Sequence, residues 1–531
     1  MNLYLAIASL MFFANVSFAV GKDCGGRKKY VQPSELYGQL FYDVMSNDSL
    51  FGPHRMFIES KSFVDAVPKY DAATIRKHYD LSPNTPMADF IKAHFIIVSD
   101  TAVVCPKAGN GINRHIKSLW QCLSRGRDSL HGGSRIAMRH PYFVPGGRFR
   151  EMYYWDTYFS MLGMLSDGED SLVMNILCNF ADAINEVGFI PNGMRSYYIG
   201  RSQPPFFSFM VEDAAMRFGD GFYVRFLPEM LKEHQFWMDG ADSLRCSLAA
   251  FRRVVRMPDG ELLNRYYDDY ATPRDEAYRN DVATGKKFLE ERPSGDVARL
   301  YRDLRAAAES GFDFSSRWMA DGKNLSSIRT TGIVPVDLNC LMFHLEQSIA
   351  KASLITGDSV AASRYQSLAG RRREAILKYC WSEKDYFFKD YVLDESQQSP
   401  FVSLAGAYPL FCGIADAKQA RSVCNTIKYV FLKAGGCVTT PYHTGQQWDA
   451  PNGWAPLQWI VFKGLKNYGF DSVASDLRRR WMATVEKVFR KEGNIKEKYD
   501  VERQSDTAGG EYANQIGFGW TNGVYRAMAS E

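Results

Sequence analysis

Apolar residues return every three or four positions through most of this chain. Val173, Ile176, Phe180, Ile184 and Val187 step along one face, and Gly188 follows as a stop. Leu341, Leu345, Ile349 and Ala352 form a second stripe ended by Gly357. Asp358 then stands as N-cap to a helix with Ala361, Tyr365, Leu368, Ala375 and Tyr379 on its inner face. Two helices joined by so tight a Gly-Asp turn predict an antiparallel hairpin. Similar helical segments recur at 209–240, 415–433, 455–468 and 471–491. Alternating valine-rich strands are absent, and the short aromatic run Asp385 to Val392 reads as a local hairpin.

Between the helices lie pieces rich in Gly and Pro: VPGGRF, FIPNGM, SQPPFF, DAPNGWAP and TAGGEY. Helical hairpins with unusual loops at one end predict an all-α fold, a closed α-toroid whose loops converge on one mouth. An open α-solenoid is the alternative, but such chains show a fixed repeat length and this one does not.

The first nineteen residues, MNLYLAIASLMFFANVSFA, are apolar on every face and end in Ser17-Phe18-Ala19, the pattern a signal peptidase cleaves after. Residues 1–19 are therefore read as a secretory leader, and 20–531 as a single catalytic domain with an N-terminal extension at about 20–65. No second run of eighteen apolar residues follows, so the mature chain is expected to be soluble, with no stable membrane anchor. Export permits disulfides, yet the ten cysteines show no CxxC pairs or regular spacing, and most read as buried thiols. Lys and Arg number 64 against 60 Asp and Glu, a balance too even to recruit nucleic acid. The runs Arg371-Arg372-Arg373 and Arg478-Arg479-Arg480 read as solvated helix faces.

HExxH, GxSxG and P-loop patterns are all missing, and the nine histidines lie far apart, so no local metal motif exists. Carboxylates among aromatics, amides and arginines remain, which is the chemistry of sugars. GQQWDAPNGWAPLQW, Gly445 to Trp459, holds three of the ten tryptophans in a segment that Pro451, Asn452 and Gly453 keep from being a regular helix. Trp448 and Trp454 are expected to stack on a pyranose, with Gln447, Asp449 and Asn452 taking its hydroxyls. Core packing of those tryptophans is the competing reading. Glycoside cleavage needs one protonated and one ionised carboxyl. Asp313, between Phe312 and Phe314, suits the acid because apolar neighbours raise a carboxyl pKa. Glu497, between Lys496 and Lys498, carries the positive surroundings a base requires, although KEK by itself resembles a plain solvent face.

PGGRFREMYYWDTYF, Pro145 to Phe159, and QWDAPNGWAP, Gln447 to Pro456, resemble the two signature segments of the trehalases. FIPNG, RSQPPFF, ESGFDFSSRW, EKYD and GGEY resemble the same family in the same order, and the likeness runs from about Pro33 to Val524. The resemblance implies an (α/α)6 barrel and inverting hydrolysis of α,α-trehalose to one α-glucose and one β-glucose. It makes Asp313 the general acid and Glu497 the general base. It places Arg148, Phe149, Trp155, Asp156, Asn192, Arg201, Ser202, Gln203, Arg274, Asp275, Glu276, Gly311, Gln447, Trp448, Asn452, Trp454 and Glu511 on sugar-binding positions. Three departures stand out. Asp275 replaces a frequent proline, Phe312 replaces the usual tryptophan, and the glycine-rich loop is shortened to DTAGGEY.

In the inverting mechanism the two carboxyls stand about 6.5–9.5 Å apart to admit the attacking water. Neither metal nor organic cofactor is required, and the expected partners are trehalose and water. Another (α/α)6 α-glucosidase, or a secreted carbohydrate-binding protein without activity, are the alternatives. The chain is expected to act as a monomer. It ends at Glu531 soon after the catalytic region with no C-terminal anchor, which favours the periplasm over the extracellular space.

Overall fold

Helix follows helix from residue 112 onward, and the order in which the helices pack explains the patterning. The computed structural model describes residues 30–98, 111–128 and 132–531; the leader read at 1–19 lies outside them. Tyr154–Asp167, Phe207–Phe218, Val336–Ile355, Tyr408–Phe411, Ala455–Asn467 and Gly519–Ser530 each pack on the next, and the last packs on the first. Alternating with them along the chain are Ile112–Leu123, Asp170–Val187, Gly221–Trp237, Ser359–Cys380, Ala417–Thr426 and Asp471–Glu492. The result is a closed (α/α)6 barrel, not an open solenoid.

Inner helices are covered on all sides, so their apolar positions are not confined to a stripe. Val336–Ile355 is buried nearly all round, whereas Ser359–Cys380 buries one face and exposes the other. The turn between them matches its sequence: Gly357 sits at φ +81°, and the Asp358 carboxylate accepts the Ala361 amide at 2.9 Å. Ring closure depends on glycine. A Cβ on Gly163 would lie 2.6 Å from Gly523 Cα, and one on Gly523 would lie 2.0 Å from the Phe159 carbonyl. Those helices approach closely enough only without side chains there. Arg526 and Trp120 also converge on Asp167 across this seam, at 2.6 and 2.8 Å.

Two further helices, Tyr278–Glu291 and Val297–Glu309, are inserted before Val336. Strands are two or three residues long. The aromatic run 385–392 takes part in two hairpins: Phe387–Phe388 pairs with Trp381–Ser382, and Tyr391–Val392 with Gln397–Gln398 and Ile333–Val334. Residues 31–98 form short helices around their own aromatic core, in which Phe41, Phe57, Phe63 and Phe95 meet Tyr153, Tyr197 and Tyr198 of the barrel. No helix among the described residues is long and apolar enough to cross a membrane.

One basic run is corrected. Arg372 is buried, not solvated. It pairs with Glu346 at 2.8 Å and reaches Asn264 and Asn339, tying outer helix to inner helix and to the strand Leu262–Asn264. The eight described cysteines are all free, and four of them are buried.

Candidate active site

The helix Val297–Glu309 gives way to Ser310 and Gly311, which turns the chain at φ +76°. A Cβ at Gly311 would lie 2.5 Å from the Trp155 indole, so glycine lets this turn press against that ring. Phe312 stacks on Trp448 at 4.8 Å and 12°, and Trp448 stacks in turn on Trp454 at 4.0 Å and 3°. The chain then presents Asp313 to a cavity at the barrel mouth.

Hydrogen bonds hold the Asp313 loop to the tryptophan-rich segment. The Trp448 amide donates to the Phe314 carbonyl at 3.0 Å, and Gln447 Nε2 donates to the Asp313 carbonyl. Asp449 is wholly buried. It accepts from the hydroxyls of Ser315, Ser316 and Thr440 at 2.8, 2.9 and 2.8 Å, from the Ser316 amide at 2.9 Å, and from Thr444. This corrects the reading of Asp449 as a hydroxyl ligand: its acceptor capacity is already filled by protein donors.

Glu497 precedes the strand Lys498–Asp500, which pairs with Asn452–Trp454. It is fully buried. Its Oε1 accepts from the Tyr512 hydroxyl at 2.8 Å and its Oε2 from Lys498 Nζ at 3.1 Å. Of the two flanking lysines, therefore, Lys498 reaches the carboxylate, while Lys496 turns towards Asp506.

The cavity wall carries four cations and five carboxyls: Lys61, Arg148, Arg201 and Arg274 with Asp156, Glu276, Asp313, Glu497 and Glu511. Every cation already has an acidic partner. Arg148 meets Glu59 at 2.7 Å, Arg201 meets Glu276 at 2.6 Å and Asp268 at 3.3 Å, and Arg274 meets Asp281 at 2.7 Å. Lys61 meets Asp65 at 2.6 Å and Glu151 at 2.8 Å. Such pairing lets buried guanidinium groups line the cavity without leaving a lone buried charge. Burial, reinforced by Glu511, lifts the Asp313 carboxyl to about 7 against the pull of Arg274 and Arg201. Burial and then Glu497 push Asp156 well above the usual carboxylate range.

Fourteen of the residues expected at the site share this cavity: Asp313, Glu497, Arg148, Phe149, Trp155, Asp156, Asn192, Arg201, Gln203, Arg274, Glu276, Gly311, Trp448 and Glu511. Five lie behind its wall. The Ser202 amide donates to Glu309 and its hydroxyl to the Ile190 carbonyl, at 2.8 and 2.7 Å. Asp275 accepts the Ser34 amide at 2.8 Å. Gln447 braces Asp313, and Asn452 donates to the carbonyls of Gln447 and Gly509 at 3.0 and 2.9 Å. Trp454 backs Trp448, so of the two proposed stacking platforms the packing reading holds for Trp454. Sequence reasoning did not single out Lys61, Tyr153, Tyr198, Tyr512, Phe518 or Trp520, which also line the cavity. Phe518-Gly519-Trp520 is a glycine-punctuated aromatic piece like the others, and that signal was available.

The sequence model of the Trehalase family matches residues 101–531. The periplasmic trehalase of Pseudomonas aeruginosa is 44% identical over 508 residues, covering 95% of this chain and 91% of the relative. The chain belongs to the trehalase family. Another member, the periplasmic trehalase of Escherichia coli K12, is 42% identical over 501 residues, 93% of this chain and 86% of that one. The neutral trehalase of Saccharomyces cerevisiae superposes with a TM-score of 0.60 at 25% identity, covering 79% of this chain and 80% of that one. A mannosylglycerate hydrolase from Thermus thermophilus shares the fold alone, at TM-score 0.54 and 16% identity over 79% of this chain and all of that one. Lys61 and Glu59 precede the residues matched by the trehalase family model, yet they stand at the cavity and at Arg148.

Proposed function

We propose that this chain is a glycoside hydrolase of the bacterial periplasm that cleaves α,α-trehalose with water, with inversion, and acts as a monomer. Membership of the trehalase family supports the reaction, and the relatives' names support the compartment. One observation carries the division of roles. Two carboxyls face the same cavity in different surroundings: Asp313 is lifted to about 7 by burial and Glu511, and Glu497 holds two hydrogen-bond donors, one on each oxygen.

Asp313 enters the cycle protonated and gives its proton to the bridging oxygen as the glycosidic bond breaks. Glu497 takes a proton from a water on the opposite face of the ring, and that water's oxygen bonds to the anomeric carbon. Each carboxyl ends in its partner's starting state, so a proton must return to Asp313 and leave Glu497 before the next turnover. The arginines hold hydroxyls and, by staying paired with their own acids, keep the cavity close to neutral for an uncharged sugar.

Anomer-resolved proton NMR of trehalose with the purified protein tests this. Equal initial amounts of α- and β-glucose are expected. Purely α-glucose would indicate retention and exclude the division of roles, and absence of glucose with folded protein would exclude the substrate.

A further inference from the structure

The chain returns beside Glu497 after leaving it through the glycine-rich loop. Gly517 N donates to the Ile495 carbonyl at 2.6 Å and Glu497 N to the Gln515 carbonyl at 2.9 Å. Asn514 closes the pairing: its Nδ2 donates to the Lys498 carbonyl at 2.9 Å, and its Oδ1 accepts the Lys498 amide at 3.3 Å. Tyr512 lies just before this anchored limb and just after the loop's Gly509-Gly510. Its hydroxyl donates to Glu497 Oε1 at 2.8 Å. Its ring packs 4.7 Å from the Arg148 guanidinium and 4.4 Å from Lys498 Nζ, with Phe149 edge-on at 5.7 Å.

A glutamate's last torsion is broad, so a carboxylate without restraint samples many planes. A general base needs one plane, with a lone pair on the line to its water. Lys498, the next residue in the chain, restrains one oxygen. The other oxygen is restrained from the loop, by Tyr512. The phenol is a dependable donor there, since burial and the neighbouring carboxylate keep it protonated.

We propose that Tyr512 is a positioning residue through which the glycine-rich loop sets the plane of the Glu497 carboxylate. This rests on the reading of Glu497 as the base. With the Tyr512 hydroxyl in place both carboxylate oxygens are held; without it, Lys498 alone leaves the carboxylate free to swing. Loop position and chemistry are thereby linked through one hydroxyl.

Tyr512→Phe keeps the ring and its contacts with Arg148 and Lys498 and deletes only the O–H. It is expected to lower kcat by about 10–100-fold with KM within about twofold. Tyr512→Ala, which also removes cavity wall, is expected to raise KM in addition. Trehalose affinity, measured by calorimetry in a Glu497→Gln background, should not change on adding Tyr512→Phe. A kcat within twofold of the parent, a loss expressed through KM, or a weakened affinity in the calorimetric comparison would each overturn the proposal. Glu497→Gln by itself separates the two ideas. If it retains full turnover, the base assignment fails. If it is inactive while Tyr512→Phe is unimpaired, only the positioning role fails.

Discussion

Ser316 donates twice to Asp449, its amide to one carboxylate oxygen and its hydroxyl to the other, both at 2.9 Å. Ser316 lies three positions after Asp313, so the loop that carries the proposed acid is held by a carboxylate that is not among the residues lining the cavity. Asp449→Ala would strand several buried hydroxyls and one amide, at a cost of about 3 kcal/mol or more. Asp449→Asn, which keeps the shape but loses an acceptor, should cost about 1–2 kcal/mol. Urea midpoints measure both. A binding ligand would instead raise KM and leave the midpoint unchanged.

The elevated carboxyl of Asp313 gives a signed pH dependence. Its protonated form prevails below about 7, so kcat/KM should fall above that pH. Glu511 contributes to the elevation and lies 4.0 Å from Arg274, which opposes it. Glu511→Gln therefore removes a raising charge and frees a lowering one, and the alkaline limb should move to lower pH. An unmoved or rising limb contradicts the assignment. In folding, the native group keeps its proton while the unfolded one loses it near its ordinary value of about 4. Stability should then decline from pH 4 to pH 7 on account of this group, and Asp313→Asn should remove that decline.

Gly311→Ala tests the closeness of the turn to Trp155. The added methyl would meet the indole at 2.5 Å on a backbone at φ +76°. Overpacking of this kind costs about 1–3 kcal/mol. Displacement of the neighbouring Asp313 should lower kcat/KM by about 100-fold. Steady-state kinetics and thermal unfolding on one sample check both.

Lys61→Met asks whether the segment before the barrel belongs to the site. It removes the cation between buried Asp65 and Glu151, leaving Arg195 as the remaining nearby charge. Breaking a buried pair from one side costs about 3–5 kcal/mol. The variant should melt earlier and lose kcat/KM together. If residues 31–98 were an independent appendage, activity would survive the substitution.

The outer helix Asp170–Val187 was legible because it buries one face: the stripe from Val173 to Val187 falls within it, with Gly188 at φ +100°. The inner helix Tyr154–Asp167 shows no stripe because most of its sides are covered, and periodicity did not single it out even though its first turns carry a family signature. Asp313 was legible from its two phenylalanines. Glu497 was not, since KEK has the composition of a solvent face and its burial comes from strands and loops distant in sequence. Lys61 carries no local signal, because a buried lysine is recognised by its partners, and Glu151 lies ninety residues away. Trp454 misled for a similar reason: two tryptophans six residues apart suggest two sugar platforms until their rings are seen lying on each other.

The cavity wall runs from Lys61 to Trp520 in sequence. Contacts of such separation form late, after most loop-closure entropy has been met. A fragment that stops short of either end lacks part of this wall, and turnover of trehalose becomes a reporter of a late step of folding. A refolding experiment followed by glucose release should therefore lag the recovery of helical circular dichroism, and the lag would time the closing of the ring at Gly163 and Gly523.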